Sequence, residues 1–530
     1  MKIEEASRLS VEHLINHGFN DITNERFEID LLKQFKEEFI TELISKVKKG
    51  SIYEMEFKPI QYILTPKNRF VFDYRKAAII GPSCLAKYTC FVFQCAEIIE
   101  KHRILTKDQV VFSHRLHISD TNIFDKSVSY STWKDKTKEL ILSKKFEYVV
   151  ECDISSFYDR INIHRLESTL LSIGVDPSIV KNINELLLFW SKKDSYGIPV
   201  GNSASRILAE AALIDIDQYL MSEGIIYNRY VDDFRLFAPD LITAQKWMNL
   251  LTTRLFRDGL MLNTGKTKLK KIESEKTEIE KEEILSDNEK AEEVLKVVTK
   301  LSGGYNRISR KFIMPASEKH KVFSTIDIEK ELDVLNKSNI VEFQGIQKIT
   351  IAILVQAKFI KLADLADICS KYLYGLDYFI DMLLKNKTHI PEQNRNQIAD
   401  FYEKLVLSKT LYSFEWHSAS LAKLLSDQYY FRRNALFFII KSPGKEVSTY
   451  PSLIALEGLF NKITRSEFKT IREWFERCDE WEKRRIIKLS KSLPSDERNA
   501  WAKAIKPTIS DDILMLEYIR AIIKKQGDEP

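Results

Sequence analysis

"IIYNRYVDDFRLFAPD" (residues 225–240) sets two aspartates side by side between two short runs of alternating character. Alternation on both sides of a polar pair is the signature of a β-hairpin with the pair at its turn. Asp is depleted in strands, and adjacent carboxylates repel each other. Asp is at home in turns, so an aspartate-tipped hairpin is commonly nothing more than a turn. Three stretches elsewhere in the chain give Asp232 and Asp233 a further purpose.

The first is "FEYVVECDISSF" (146–157), an apolar run that ends in Asp153. If it lies beside the hairpin in one sheet, three carboxylates meet at one end. Such a cluster is unstable until divalent cations compensate it. Asp oxygens suit Mg²⁺, and two such ions can activate a hydroxyl and stabilise the leaving oxygen of a phosphoryl transfer. The second is "GIPVGNSAS" (197–205), where Gly197, Pro199 and Gly201 make a side-chain-poor turn into a helix that lets backbone approach a base pair closely. The third is "GLMLNTGKTKL" (259–269), read as an apolar strand followed by a lysine on a polar loop. A phosphate-binding P-loop would need glycine at position 260, where Leu260 stands. Lys266 is instead placed to protonate or electrostatically relieve a departing pyrophosphate.

The rest of the chain bounds these readings. At 530 residues it exceeds one ordinary core, so two to four domains are expected. Gly and Pro total only 29, which favours long helices, and a net charge of +5 leaves any nucleic-acid footprint to local patches. Six cysteines (Cys84, Cys90, Cys95, Cys152, Cys369, Cys478) show neither CxxC pairs nor zinc spacing, and "MKIEEASRLSVEHL" has no secretory character. Buried thiols in a reducing cytoplasm are expected. No apolar run approaches the length of a membrane span, so no membrane partner is expected.

Residues 1–50 read as a charged amphipathic helical segment, and 51–80 as short strands. "KYTCFVFQCAEIIEKHR" (87–103) reads as a buried helix with a basic end. The mixed-charge run from 266 to 294 reads as a solvated linker or exposed helix, and residues 320–530 as almost wholly helical, without a clean repeat period. The expected class is α+β. Residues 51–272 carry the antiparallel sheet, 273–319 a charged linker or thumb-like segment, and 320–530 an all-α stack of helical hairpins in the manner of HEAT arrays.

In this order the four motifs resemble the reverse transcriptase palm: "VVECDISSFYDRI" its first catalytic block, "GIPVGNSAS" its second, "RYVDDF" its third and "LNTGKTKL" its fourth. The resemblance covers roughly residues 55–272 and implies a fingers and palm domain that adds dNTPs to DNA. It implies that Asp153, Asp232 and Asp233 hold two Mg²⁺ ions, for which Mn²⁺ can substitute, and that Lys266 assists catalysis. Tyr158 would pack under the incoming sugar and reject a ribose 2′-hydroxyl, with neighbouring Phe157 as the alternative ring. Gly197, Pro199 and Gly201 would line the nucleotide site. Arg69 and Arg75 in "TPKNRFVFDYRKAAI" would grip the triphosphate, a solvated basic strand edge being the plainer reading.

Among the subfamilies, "VVFSHRL" (110–116), "RYVDDF" and the helical C-terminal region resemble the bacterial defence enzymes of the abortive-infection and unknown-group clade. Departures from intron-type enzymes are Val200 in the second block, where those carry Gln, and Arg206 in place of Pro. The resemblance implies an antiphage polymerase and a homo-oligomer. Synthesis templated on a non-coding RNA and untemplated, protein-primed synthesis both stay open. A catalytically silent palm that binds RNA as a scaffold is the rival from another class. "QYYFRRNALFF" (428–438) and "REWFERCDEWEKRRIIKLSKSL" (472–493) interleave aromatic and basic residues. Arg432, Arg433, Arg484 and Arg485 are the candidates to track a phosphate backbone, against the plainer reading of core aromatics and solvated charges.

Overall fold

The computed structural model describes the chain apart from residues 22–25, 68–73, 119–122, 193, 274–322, 339–342, 409–414, 442–448, 510–511 and 525–530. Arg69, residues 274–294 of the mixed-charge run and nearly all of the expected linker at 273–319 lie outside the described residues. The chain divides into two compact units. One comprises residues 1–60, 80–284 and 511–514, the other 61–79, 285–510 and 515–530.

The first unit opens with three helices, α1 (Ile3–His17), α2 (Arg26–Gln34) and α3 (Lys36–Val47). Gly18 ends α1 at φ +79°, a conformation open to glycine at little cost. The other unit contributes the antiparallel hairpin of β1 (Gln61–Pro66) and β2 (Tyr74–Ile79), described below. Returning to the first unit, α4 (Pro82–His102) starts with Pro in its first turn and ends on Lys101 and His102, which complement the helix dipole. Its residues are buried around most of its circumference. It packs against α1, and against α8 and α9 introduced below, as the hub of this unit.

Then follow α5 (Tyr130–Leu142), β3 (Tyr148–Asp153), α6 (Phe157–Arg160), α7 (Ile163–Ser172), α8 (Pro177–Trp190), α9 (Ser203–Ala211) and α10 (Ile214–Ser222). The unit continues through β4 (Tyr227–Tyr230), β5 (Asp233–Ala238), α11 (Leu241–Arg257) and β6 (Lys268–Lys271). The four strands form one antiparallel sheet in the order β4-β5-β3-β6. β3, central in this sheet, buries Val149, Val150 and Cys152. Two of its residues, Glu151 and Asp153, share a face with Arg235 and Asp233 of β5.

In the second unit, neighbouring helices from Ile328–Lys337 to Ser495–Ile505 pack on one another along the chain. The β1–β2 hairpin joins this unit. The Gln61 side chain donates to Asp479 Oδ2 at 2.6 Å and accepts from the Thr449 amide at 3.2 Å. Asp479 also caps the helix Glu480–Leu489, accepting from the Glu482 amide at 2.8 Å. Cys84, Cys90, Cys95, Cys152 and Cys369 are buried free thiols, and Cys478 is half-buried. Among the described residues no helix is long and apolar enough to cross a membrane.

Candidate active site

The register between β3 and β5 decides the geometry. Asp153 stands directly opposite Asp233, and the Ile154 amide donates to the Asp232 carbonyl at 3.1 Å. The end of the first strand and the tip of the hairpin are thus one place, as the three-carboxylate reading required. β4 and β5 are joined through Val231 and Asp232 alone, since Tyr230 pairs with Asp233. A two-residue hairpin needs positive φ in its loop, a place usually taken by Gly, Asn or Asp. Here Val231 takes it, buried, at φ +57°. A β-branched residue in the left-handed region is a strained one, and it stands next to the carboxylate that the turn presents.

The cluster is electrostatically unhappy as a set of bare carboxylates. Loss of hydration pushes Asp232 well above the usual carboxylate range, and Asp233 and Asp153 add to that push. Asp233 is raised by the same loss of water and by Asp153, with Arg235 opposing. Lys266 supplies one positive charge, its Nζ donating to Asp153 Oδ1 at 2.8 Å. The loop that carries Lys266 is fastened to the first block by backbone. Asn263 N donates to Asp153 O at 2.7 Å, and Ser155 N to Met261 O at 2.8 Å. In place of the expected apolar strand before Lys266 there is only an isolated bridge between Ile154 and Leu262, and the regular strand β6 follows the lysine.

Hard oxygen donors drawn together against their own repulsion, with an ammonium already attracted to one of them, are a donor set suited to Mg²⁺ or Mn²⁺. Among the described residues, however, no three His, Cys, Asp or Glu side chains stand ready-made around one ion position. Asp153 faces Lys266 instead, so a cation shared by the three aspartates requires that ion pair to give way.

The second block is laced to the first. Gly197 N donates to Ile161 O at 2.9 Å and Ile198 N to Tyr158 O at 3.0 Å. Gly197 sits at φ +94°, a conformation that favours glycine, and a Cβ there would rest in ordinary contact with the Asp159 carbonyl oxygen at 3.4 Å. Gly201 is also left-handed, at φ +107°, and buried Pro199 gives its carbonyl to Asn202 Nδ2 at 3.1 Å. Asn202 in turn caps α9 through the Ser205 amide. Arg206, the departure from Pro, is ion-paired with Asp21, whose amide donates to Gly201 O.

Phe157 and Tyr158 are both buried, with rings in edge contact. Burial pushes the Tyr158 phenol far above its ordinary range, with Arg206 opposing and Asp232 adding to the push. Arg75 lies in β2, in the second unit.

The C-terminal arginines belong to the second unit. Arg484 and Arg485 are 1% and 4% exposed and bind Glu480 and Glu457 at 2.7 and 2.9 Å. Arg432 pairs with Asp400 at 2.8 Å and Arg433 with Glu467 at 2.6 Å. The aromatic–basic pattern around 472–493 is to that extent a core pattern, with both central arginines turned inward.

Residues 94–284 match the model of the family described as reverse transcriptase (RNA-dependent DNA polymerase). By that match this stretch is similar to a reverse transcriptase domain. The matched residues contain the sheet β4-β5-β3-β6 and the Asp153–Asp233 register. A curated relative, the Retron Ec86 reverse transcriptase of Escherichia coli, is 22% identical over 120 residues, covering 23% of this chain and 37% of the retron enzyme. The match thus spans little more than a third of that relative. Among solved structures, telomerase from Candida albicans in complex with a TWJ fragment of telomeric RNA aligns at 14% identity and a TM-score of 0.30. That alignment covers 68% of this chain and 66% of the telomerase chain.

Beneath the reverse transcriptase hairpin lies a feature the motif reading missed. Arg229, 0% exposed, binds Asp217 through Nε at 2.8 Å and Nη2 at 2.5 Å, and Nη2 also lies 2.9 Å from Glu210 Oε2. Arg103 reaches Glu210 at 2.7 Å from the other side, and Ser113 Oγ donates to the same carboxylate. Burial opposes the charge on Glu210, yet Arg229 and Arg103 outweigh it and bring that carboxyl down to about 2. The signal was present in "YNRYVDD": a charged residue at a position where the strand faces inward. Its acidic partners sit seven residues apart in "LAEAALIDID" (208–217), on the buried side of that stretch.

Proposed function

We propose that this protein is a metal-dependent DNA polymerase of reverse-transcriptase type that adds dNTPs to a primer hydroxyl by phosphoryl transfer. The observation that carries the reading is the register that sets Asp153 against Asp233 with Asp232 at the adjoining turn. Those three carboxylates would hold two Mg²⁺ ions, which supply charge to lower the pKa of the primer hydroxyl and to stabilise the departing pyrophosphate. Lys266, held on its anchored loop against Asp153, would be placed to meet the leaving group if a cation took over that contact. Tyr158 forms the floor under the sugar. The glycine turn at Gly197 and Gly201, with Pro199 between, lets backbone approach the nascent pair without side chains in the way. Arg69 and Arg75 are proposed to meet the triphosphate.

An RNA template, in keeping with the match to a family described as RNA-dependent DNA polymerase, fits this reading. The antiphage role and the homo-oligomer rest on the likeness of "VVFSHRL", "RYVDDF" and the helical C-terminal region to the abortive-infection clade. Untemplated, protein-primed addition is the competing mode.

Purified protein is incubated with Mg²⁺ and single or mixed dNTPs, with and without RNase. Incorporation that needs RNA and all four dNTPs supports the templated mode. Product from one dNTP on RNA-free protein supports untemplated addition. Asp232→Asn and Asp233→Asn should each lower incorporation at least about a hundredfold, the scale of removing a key electrostatic group from an active site. Survival of incorporation in both variants overturns the reading. Loss of incorporation with phage protection intact in cells supports the scaffold alternative.

A further inference from the structure

The buried arginine of β4 does more than balance charge. Its backbone is already clamped: Arg229 N donates to Val110 O at 2.8 Å, and Phe112 N donates to Arg229 O at 3.1 Å. Nε and Nη2 are taken by Asp217 and Glu210. The remaining arm, Nη1, points along its own hairpin and donates to the carbonyl of Val231 at 3.2 Å, with Ser113 Oγ at 3.4 Å. Val231 is the strained left-handed residue of the turn, and its carbonyl belongs to the peptide that leads into Asp232. Valine does not hold this conformation by its own preference, so something outside the turn must hold it.

The guanidinium is suited to that task because its fork is planar and fixed. With two donors locked on Asp217, the direction of the third is set. Asp217 is itself held by Tyr227 Oη at 2.9 Å, and Glu210 by Arg103 and Ser113. The anchor is therefore rigid on the side away from the turn.

We propose that Arg229 is a positioning residue for the catalytic hairpin, its Nη1 pinning the Val231 carbonyl so that the strained turn presents Asp232 to the cation site. The inference rests on the polymerase reading above for its consequence in catalysis, but not for the conformational effect itself. Lysine at 229 keeps the charge and loses the fork. Arg229→Lys should weaken binding of Mn²⁺, measured by calorimetry or electron paramagnetic resonance without nucleotide, by about tenfold, the scale of one hydrogen bond to a charged group. It should lower kcat by a similar factor while KM for dNTP stays within about threefold. Asp217→Asn, which weakens the anchor and leaves Arg229 in place, should lower the melting temperature and weaken Mn²⁺ binding in the same direction but by less than Arg229→Lys does. Val231→Gly added to Arg229→Lys should recover at least about threefold in Mn²⁺ affinity, because glycine takes the left-handed turn without an external hold. The same change in the native background should bring no gain.

Three results overturn the proposal: a folded Arg229→Lys protein with native Mn²⁺ affinity and kcat, equal loss of affinity in Arg229→Lys and Asp217→Asn, or no recovery with glycine. If Arg229→Lys does not fold, Arg229→Gln with Asp217→Asn removes one buried charge of each sign and is read in the same way. A native chain that binds Mn²⁺ yet incorporates no dNTP refutes the polymerase reading and leaves the Arg229 measurements to stand or fall separately.

Discussion

At the scale of single residues, the site depends on groups held where they are least comfortable. Three carboxylates share one end of a sheet, a valine takes a glycine's conformation, and an aromatic pair is buried at the start of a helix that follows left-handed Ser156. The pair carries a prediction. Tyr158, five residues after Asp153, is the ring proposed under the sugar. Tyr158→Val should relax discrimination against ribonucleotides by about tenfold or more, the usual worth of a single steric contact in a pocket, while Tyr158→Phe should change it little. Phe157→Val should leave discrimination nearly native and act mainly on stability, since it opens a buried cavity. Competition between a dNTP and its ribonucleotide, scored as a ratio of kcat/KM, decides between the rings. Relaxation in Phe157→Val alone would reassign the role. Lys266 carries a second prediction. Its contact with Asp153 must break for a shared ion to bind, so Lys266→Met should raise Mn²⁺ affinity severalfold while lowering kcat, the direction expected when a competing cation is removed. A fall in Mn²⁺ affinity in that variant would show that the ammonium is part of the cation site.

At the scale of elements, the sheet and its loops are fastened by backbone, while the N-terminal helix is fastened by a titratable side chain. His13 of α1 is buried, and its Nε2 lies 2.9 Å from Ser203 Oγ at the start of α9. Burial, reinforced by His17 and Arg206, depresses its pKa from 6.5 to about 3. The unfolded chain therefore binds a proton that the folded one refuses. The contribution to stability is complete above pH 6.5 and is lost as pH falls from there toward 3. Between pH 7 and pH 5 the loss is about 2 kcal/mol. His13→Gln removes the proton site and should flatten the acid limb of denaturant midpoints by that amount, whatever it costs at neutral pH. An unchanged slope between pH 7 and 5 would mean that His13 is not the group responsible.

Elements were legible in the chain to different degrees. The hairpin, the strand ending in Asp153 and the glycine turn could be read because alternation, run length and glycine placement are local signals. The position of β6 after Lys266 could not, since it depends on what the segment packs against. The arginine network escaped for the same reason. Arg229, Glu210, Asp217 and Arg103 look like ordinary surface charges until the fold brings them together in the core.

At the scale of the whole molecule, an excess of five positive charges over 530 residues says little about nucleic acid until each cation's partner is known. In the helical unit the conspicuous arginines are spoken for by acids: Arg432 by Asp400, Arg433 by Glu467, Arg484 by Glu480 and Arg485 by Glu457. A guanidinium that is buried and paired contributes to folding and releases no counterions when nucleic acid binds. This yields an expectation that separates stability from binding. Arg484→Met, which leaves Glu480 without its buried partner, should destabilise the helical unit by about 3 kcal/mol or more, the usual cost of removing one member of a buried pair. The salt dependence of binding to a single-stranded RNA or DNA should keep its slope, because no phosphate contact has been removed. A cation that does touch phosphate would behave oppositely, with its removal lowering the slope by about one while the melting temperature barely moves. Thermal melts and salt titrations on the same preparation of Arg484→Met measure both quantities. A reduced slope with native stability would place Arg484 on the nucleic acid and require the helical unit to open along the helix Glu480–Leu489 when it binds.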